Sequence, residues 1–251
     1  MNYHWDWSIF WQPAADGSGT WLHYLLVGLE WTLATALAAW LIALAIGAFV
    51  GTLRTTPLAW AVRLGNAYVE LFRNVPLIVQ MFLWFFVLPE LVPKALGDWI
   101  KQMAPPWGMY LPAVLCLGIY TSVRVAEQVR AGIQSLPRGQ RMAGTALGLT
   151  LPQTYRYVIL PMAMRIVLPP LTSEFLNIIK NSSVALTIGL LELTGRARAM
   201  QEFTFKVFEA YAAATVIYLL VNLIVVLAMR AFEHKLRVPG FIATGGQAGH
   251  A

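Results

Sequence analysis

Charge is what this sequence has least of. Only 12% of its 251 residues are Asp, Glu, Lys or Arg and 58% are hydrophobic, against roughly a quarter charged in ordinary soluble domains. A soluble one- or two-domain protein is therefore excluded, and a bilayer protein is implied. Cysteine is almost missing: Cys116 stands alone in an apolar run, so no internal disulfide is possible and a packing thiol is expected. The four histidines, His4, His23, His234 and His250, are terminal or interfacial and are not spaced as metal ligands. Neither a G-x-S-x-G elbow nor a Walker A loop occurs, and Gly245-Gly246 belongs to a Gly-rich tail. No catalytic residue set, cofactor site or metal site can be assembled, so a non-catalytic protein is expected and a membrane enzyme ranks last among the readings. The first thirty residues hold no Lys or Arg, so a cleavable signal peptide with a basic n-region is not expected.

What the chain does have is long apolar stretches and aromatics. Ten Trp and nine Tyr suit the interfacial belts of a membrane protein. Residues 1–30 are aromatic and turn-rich and read as an external interfacial segment. Trp31 to Leu53 is free of charge and long enough to cross ~30 Å of hydrocarbon at ~1.5 Å per residue. Residues 55–75 read as an amphipathic helix on the cytoplasmic face, and Asn74 is placed to cap a short second span running from Pro76 to about Pro89. A polar external loop with an amphipathic piece near Leu96–Met103 precedes a third span from Met109, which continues as a helix toward Ile133. Met162–Ile179 is the fourth span, interrupted at Lys180-Asn181-Ser182-Ser183, with Val184–Leu193 a re-entrant or half-helical continuation. Ala210–Met229 is the fifth, and residues 238–251 form a Gly-rich, disordered tail.

The basic residues orient these spans. Arg54, Arg63, Arg73, Arg124, Arg130, Arg138, Arg141, Arg156, Arg165, Arg230, Lys235 and Arg237 fall in inside segments. Lys94, Lys101, Lys180, Arg196, Arg198 and Lys206 fall outside. The bias predicts an outside N-terminus and an inside C-terminus, although the run Arg196–Lys206 would prefer the inside. Because the cations cluster at the edges of apolar spans, they imply topology and no nucleic-acid role.

One polar insert organises the rest: Arg124 to Pro161, with a coupling loop over 135–161. Ser135-Leu136-Pro137 and Thr150-Leu151-Pro152 each place a hydroxyl two residues before a proline, as at a helix start. Thr150 with Gln153 fits a capping box. Met142, Ala143, Ala146 and Leu147 share one face of a short amphipathic helix around Arg138–Leu149, which reads either as a docking plug or as a solvated connector.

These residues carry a resemblance. Met142-Ala143-Gly144, three residues, Gly148, nine residues and Val158-Ile159-Leu160-Pro161 resemble the E-A-A…G…I-x-L-P signature of bacterial ABC importer permeases. Met142 replaces the glutamate and Gly144 the second alanine. The flanks, and Glu70-Leu71-Phe72-Arg73-Asn74-Val75-Pro76-Leu77-Ile78-Val79-Gln80, resemble the polar amino acid branch, most of all glutamate/aspartate permeases. The resemblance implies an all-α membrane protein of five transmembrane helices with a cytoplasmic coupling helix, the type I ABC importer transmembrane domain, filling residues 31–237. It further implies a multi-pass location in the bacterial cytoplasmic (inner) membrane. The implied partners are an ABC ATPase subunit dimer that binds the ATP, a second permease chain, and a periplasmic or tethered solute-binding protein. Gly139, Arg141, Met142, Ala143, Gly144, Gly148, Leu151 and Pro152 are the implied coupling residues.

Polar groups inside spans mark pathways by default. A helix break at Lys180, Asn181, Ser182 and Ser183 would offer amides and a cation to a substrate carboxylate. Glu174 is either a pathway residue or half of an interhelical ion pair. The resemblance adds Arg73, Asn74 and Gln80, because related permeases line their cavity with the second and fourth spans. Gln80 equally suits an interhelical hydrogen bond, and Arg73 a snorkelling charge. A polar or basic amino acid permease, or a carrier or channel that acts without an ATPase, is the alternative.

Overall fold

The structure is a computed structural model that describes residues 3–236; the tail 238–251 lies outside the described residues. Apart from a single bridge between Pro13 and Thr20, regular structure among them is helical. Helix α1 (Trp21–Leu53) begins well before the expected Trp31, because Thr20 caps it by accepting the His23 N–H at 3.3 Å. Glu30 is exposed on its surface, where a charge does not end a helix. The N-terminal segment is thus shorter than expected and holds a 3-10 turn at Trp7–Trp11.

Helix α2 (Ala59–Arg73) ends at Asn74, whose side-chain amide donates to the Glu70 carbonyl at 2.8 Å. Asn74 therefore closes α2 and does not open the next span, which starts from Pro76. A residue before proline is driven out of the helical region, and here the chain turns by 97°. The continuation is α3 (Leu77–Phe82), a π-helical turn over Leu83–Val87, and α4 (Leu88–Leu91). Helix α5 (Lys94–Lys101) leads to α6 (Trp107–Gln134).

Helix α6 lies along α1 in the same direction, because glycines remove the side chains that would separate them. A Cβ on Gly47 would stand 2.5 Å from Val125 Cβ, one on Gly51 2.6 Å from the Ala126 carbonyl, and one on Gly118 2.8 Å from Ile42 Cβ. The G-x-x-x-G pair is thus a real contact face. Parallel packing has a topological consequence. The chain between α1 and α6 must return from one end of the bundle to the other, and the bent pair is the segment that does so. Among the described residues four helices are long and apolar enough to span alone, and the bent pair, counted as one span, makes five.

Helices α7 (Arg138–Ala146) and α8 (Leu151–Thr154), with a π-helical turn at Tyr155–Ile159, lead into α9 (Leu160–Asn181). Lys180–Ser183 is not a break. The helix tightens into a 3-10 turn over Ser182–Ile188, where Ser182 and Ser183 donate to the Ile179 and Lys180 carbonyls at 2.7 and 2.8 Å. The turn stops at Gly189 with φ +88°, a conformation glycine adopts freely. Helices α10 (Leu193–Thr204) and α11 (Val207–Leu236) complete the fold. Leu219, Leu220, Leu223, Ile224 and Leu227 of α11 are exposed, as suits a lipid-facing surface. Cys116 is buried in the α1–α6–α9 core.

The two ends of the bundle are built from different elements. Helix α10 packs on the start of α1, where Arg196 lies 4.2 Å over the Tyr24 ring and a Cβ on Gly28 would meet the Leu193 backbone at 3.0 Å. Lys206 reaches Asp6 at 3.4 Å. The polar insert sits at the other end of α1, where Tyr155 donates to the Thr55 carbonyl at 2.6 Å. The length of α1, about 50 Å at ~1.5 Å per residue, separates them.

Candidate functional site

The insert folds as a short helix doubled back on its root. Gly148 has φ +72°, and the Leu149 N–H reaches back to the Gly144 carbonyl at 3.1 Å. That is the Schellman arrangement, which ends α7 at Ala146 and not at Leu149. Gly144 is buried, and a Cβ there would stand 2.7 Å from Thr154 Cγ2, so the small residue lets α7 lie against α8. Thr150 starts α8: Gln153 Oε1 accepts from its N–H and its hydroxyl, both at 2.8 Å. Ser135 does not start α7. It ends α6, its hydroxyl donating to the Gly132 carbonyl at 2.9 Å.

The expected apolar face is uncovered. Met142 is 69% and Leu147 77% exposed, and Ala143 and Ala146 are exposed with them. Gly139 has open space around it, and Leu151 and Pro152 are exposed at the start of α8. Arg141 falls on α7 between them. The root is firmer. Tyr155 is buried, and its hydroxyl donates to the Thr55 carbonyl and meets Thr55 Oγ1 at 3.2 Å. Beside Thr55, Arg54 donates to Asn66 of α2 at 2.8 Å and to Glu127 of α6 at 2.9 Å, and Glu127 also holds Arg130 at 2.9 Å. A cavity of about 570 Å³ lies between this corner and the insert, lined by Thr55, Thr56, Pro57, Leu149, Leu151, Thr154, Tyr155 and Ile159.

The residues expected along a pathway divide into two kinds. Arg73, Asn74 and Lys180 are exposed, with Asn181 and Ser183 half-buried. Gln80 is only 2% exposed, and its amide donates to the Phe72 and Val75 carbonyls at 2.8 and 3.0 Å. It satisfies carbonyls left open where α2 ends, so it holds the bend. Ser182 is likewise enclosed. Glu174 is 8% exposed and its Oε2 has no partner among the described residues. Helix α3 packs against the Ser182–Ile188 turn, with Met81, Ile178, Ile179 and Ala185 in one core. The fold therefore brings the second and fourth spans together.

Residues 43–238 match the family described as the binding-protein-dependent transport system inner membrane component. The chain belongs to that family. The glutamate/aspartate import permease protein GltJ of Escherichia coli K12 is 48% identical over 241 residues, covering 96% of this chain and 98% of that one. A probable glutamine ABC transporter permease, GlnM of Bacillus subtilis 168, is 35% identical over 194 residues, covering 76% and 83%. Among solved structures, an amino acid ABC transporter crystallised with histidines aligns at TM-score 0.72 and 30% identity, covering 86% of this chain and 95% of that one. The inward-facing MetNI methionine transporter, at TM-score 0.73 and 20% identity, covering 86% and 98%, shares the fold.

A binding-protein-dependent permease of this kind is a non-catalytic transport subunit, and its ATPase is a separate chain. Sequence reading missed three structural anchors of this permease. Tyr155 lies in the polar flank of the family signature, where nothing in the sequence singles it out, and Arg54 reads only as a topology signal. Glu192, fully buried, accepts from the Thr194 and Gly195 N–H groups at 2.9 and 2.8 Å and from the Tyr218 hydroxyl at 3.0 Å. It caps α10 and ties it to α11. An acid followed by Leu-Thr-Gly at the end of an apolar run was the available signal.

Proposed function

We propose that this permease subunit carries glutamate and aspartate through an ABC importer whose ATP is hydrolysed on a separate pair of subunits. The supporting observation is the 48% identity with GltJ over 96% of the chain. The machine would contain two permease chains, identical or similar, a dimer of ATPases at the insert end, and a solute-binding protein at the α10 end. The uncovered Met142 and Leu147 suit insertion into a groove on the ATPase. ATP-driven closure of the ATPases would push α7, and Tyr155 would pass that displacement to the corner where α1, α2 and α6 meet. Coupling would rest on Gly139, Arg141, Met142, Ala143, Gly144, Gly148, Leu151 and Pro152. Substrate would pass Arg73, Glu174, Lys180 and Asn181, with Asn74, Gln80, Ser182 and Ser183 shaping the passage.

In the inner membrane this reading places the N-terminus outside and the C-terminus inside. The cations of α10 do not oppose it strongly, since Arg198 is held by Glu202 at 2.8 Å, Lys206 by Asp6, and Arg196 by the Tyr24 ring. The test is reconstitution of the chain with its ATPase and receptor in liposomes. ATP-dependent uptake of labelled glutamate or aspartate is expected. Gradient-driven uptake by the chain alone would refute the ATP-coupled reading, and selective uptake of another amino acid would refute the substrate.

A further inference from the structure

The inner half of α6 carries a polar stripe that the rest of the chain leaves open. Tyr120, Arg124, Gln128 and Gln134 lie along it without being buried, whereas Thr121, Ser122, Val125, Ala126 and Val129 are buried in the contacts of α6 with its neighbours. A spanning helix turns apolar residues toward lipid, and intramembrane polar ones face protein or a water-filled passage. This stripe therefore faces one of the latter.

Arg124 is its charged member, and it has no counter-charge among the described residues. One guanidinium nitrogen donates to the Tyr120 hydroxyl at 2.8 Å, and the group lies 4.5 Å over that ring. The other, Nη1, is enclosed and has no acceptor, and no carboxylate among the described residues pairs with it. One turn further along, Arg54 and Arg130 share Glu127, so charges at this depth do acquire partners where the fold needs them. An enclosed guanidinium nitrogen with an open donor is costly, and the planar fork it belongs to matches a carboxylate.

Register sets the depth of Arg124 relative to α9. Gly132 of α6 meets Val167 of α9, a Cβ there standing 2.2 Å from Val167 Cγ2. Counting outward along both helices by eight residues, about 12 Å, brings Arg124 to the level of Glu174 and Phe175. Lys180 lies roughly one to two turns beyond. We infer that Arg124 receives the side-chain carboxylate of the substrate and makes the passage selective for acidic amino acids. Lys180 is then free for the α-carboxylate that every amino acid carries. This assignment rests on the acidic amino acid reading above and names the residue that enforces it.

The test compares Arg124→Gln and Arg124→Lys with the parent chain in the complete reconstituted complex, measuring glutamate uptake and ATP hydrolysis together. The parent must import glutamate; its failure to do so would sink the substrate reading itself. Given an active parent, Arg124→Gln is expected to lower the glutamate moved per ATP hydrolysed by roughly ten- to a hundredfold, the size of one lost hydrogen bond between charged groups. Arg124→Lys, keeping the charge without the fork, should recover part of it. Parent-like uptake by Arg124→Gln would overturn the assignment. So would a parallel fall of uptake, hydrolysis and assembly in both variants, which would give Arg124 a structural partner on the second permease chain.

Discussion

Replacing Tyr155 by Phe removes one oxygen and leaves the ring in the core where Ile133, Ile159 and Val167 pack. The lost bond is short and enclosed, 2.6 Å to the Thr55 carbonyl, and a buried carbonyl deprived of its donor costs about 1–2 kcal/mol. The chain should therefore unfold in detergent with a stability lower by roughly that amount. The functional effect has its own size. If the insert passes its displacement to the α1–α2 corner through this bond, weakening the connection by about 1.4 kcal/mol biases the two arrangements about tenfold. The adjoining cavity of about 570 Å³ gives the loosened insert room to shift without dragging Thr55 along. The assay is uptake per ATP hydrolysed in liposomes, which should fall severalfold while hydrolysis continues. Pairing the change with Thr55→Val separates the contributions of the two Thr55 oxygens, since Val keeps the carbonyl. A Phe variant with parent-like stability and parent-like coupling would refute the reasoning.

Gly148→Ala, at φ +72°, should destabilise the end of α7 by about 1–2 kcal/mol from left-handed strain alone, read as lower uptake per ATP. Gly148→Trp should leave the chain inserted and abolish coupling. Gly47→Leu must push α1 off Val125, where even a Cβ would stand at 2.5 Å; overpacking of about 1–3 kcal/mol is expected in a denaturant titration. Met142→Glu, at an exposed site, should change stability by less than about 0.5 kcal/mol, measured by thermal unfolding. The N-terminal segment is fastened by Tyr3, whose hydroxyl donates to Glu209. That bond, with burial and the nearby Glu209 and Asp6 charges, raises the Tyr3 pKa from 10.0 to about 12. A raised pKa means the attachment is intact below pH 10 and is lost as pH climbs toward 12. Fluorescence of the stacked Trp5–Trp7 pair, 5.0 Å apart, should report that release, and a flat profile across this window would contradict it.

The sequence alone determined the fold class, the order of the spans and the position of the insert. Charge-free length, turn residues and spacing are local properties of the chain, and the family signature is a local frame. The Thr150–Gln153 pair was legible for the same reason, since a helix start involves only neighbours in sequence, whereas Gly148 stood out only in the family frame and its closing of α7 at Ala146 was not legible. What sequence could not decide was which of two elements a polar residue serves. Ser135 and Asn74 looked like helix starts and proved to be helix ends, because a short polar side chain can bond either the helix before it or the one after. Lys180–Ser183 looked like a break, yet the hydroxyls bond back to carbonyls of their own turn and keep the helix going. Gln80 and Glu192 were given their tasks by carbonyls and amides exposed only once α2 bends and α10 docks. The isolation of Arg124 and the anchorage of Tyr155 likewise depend on which groups come within hydrogen-bond reach across helices far apart in sequence, and that is settled by packing.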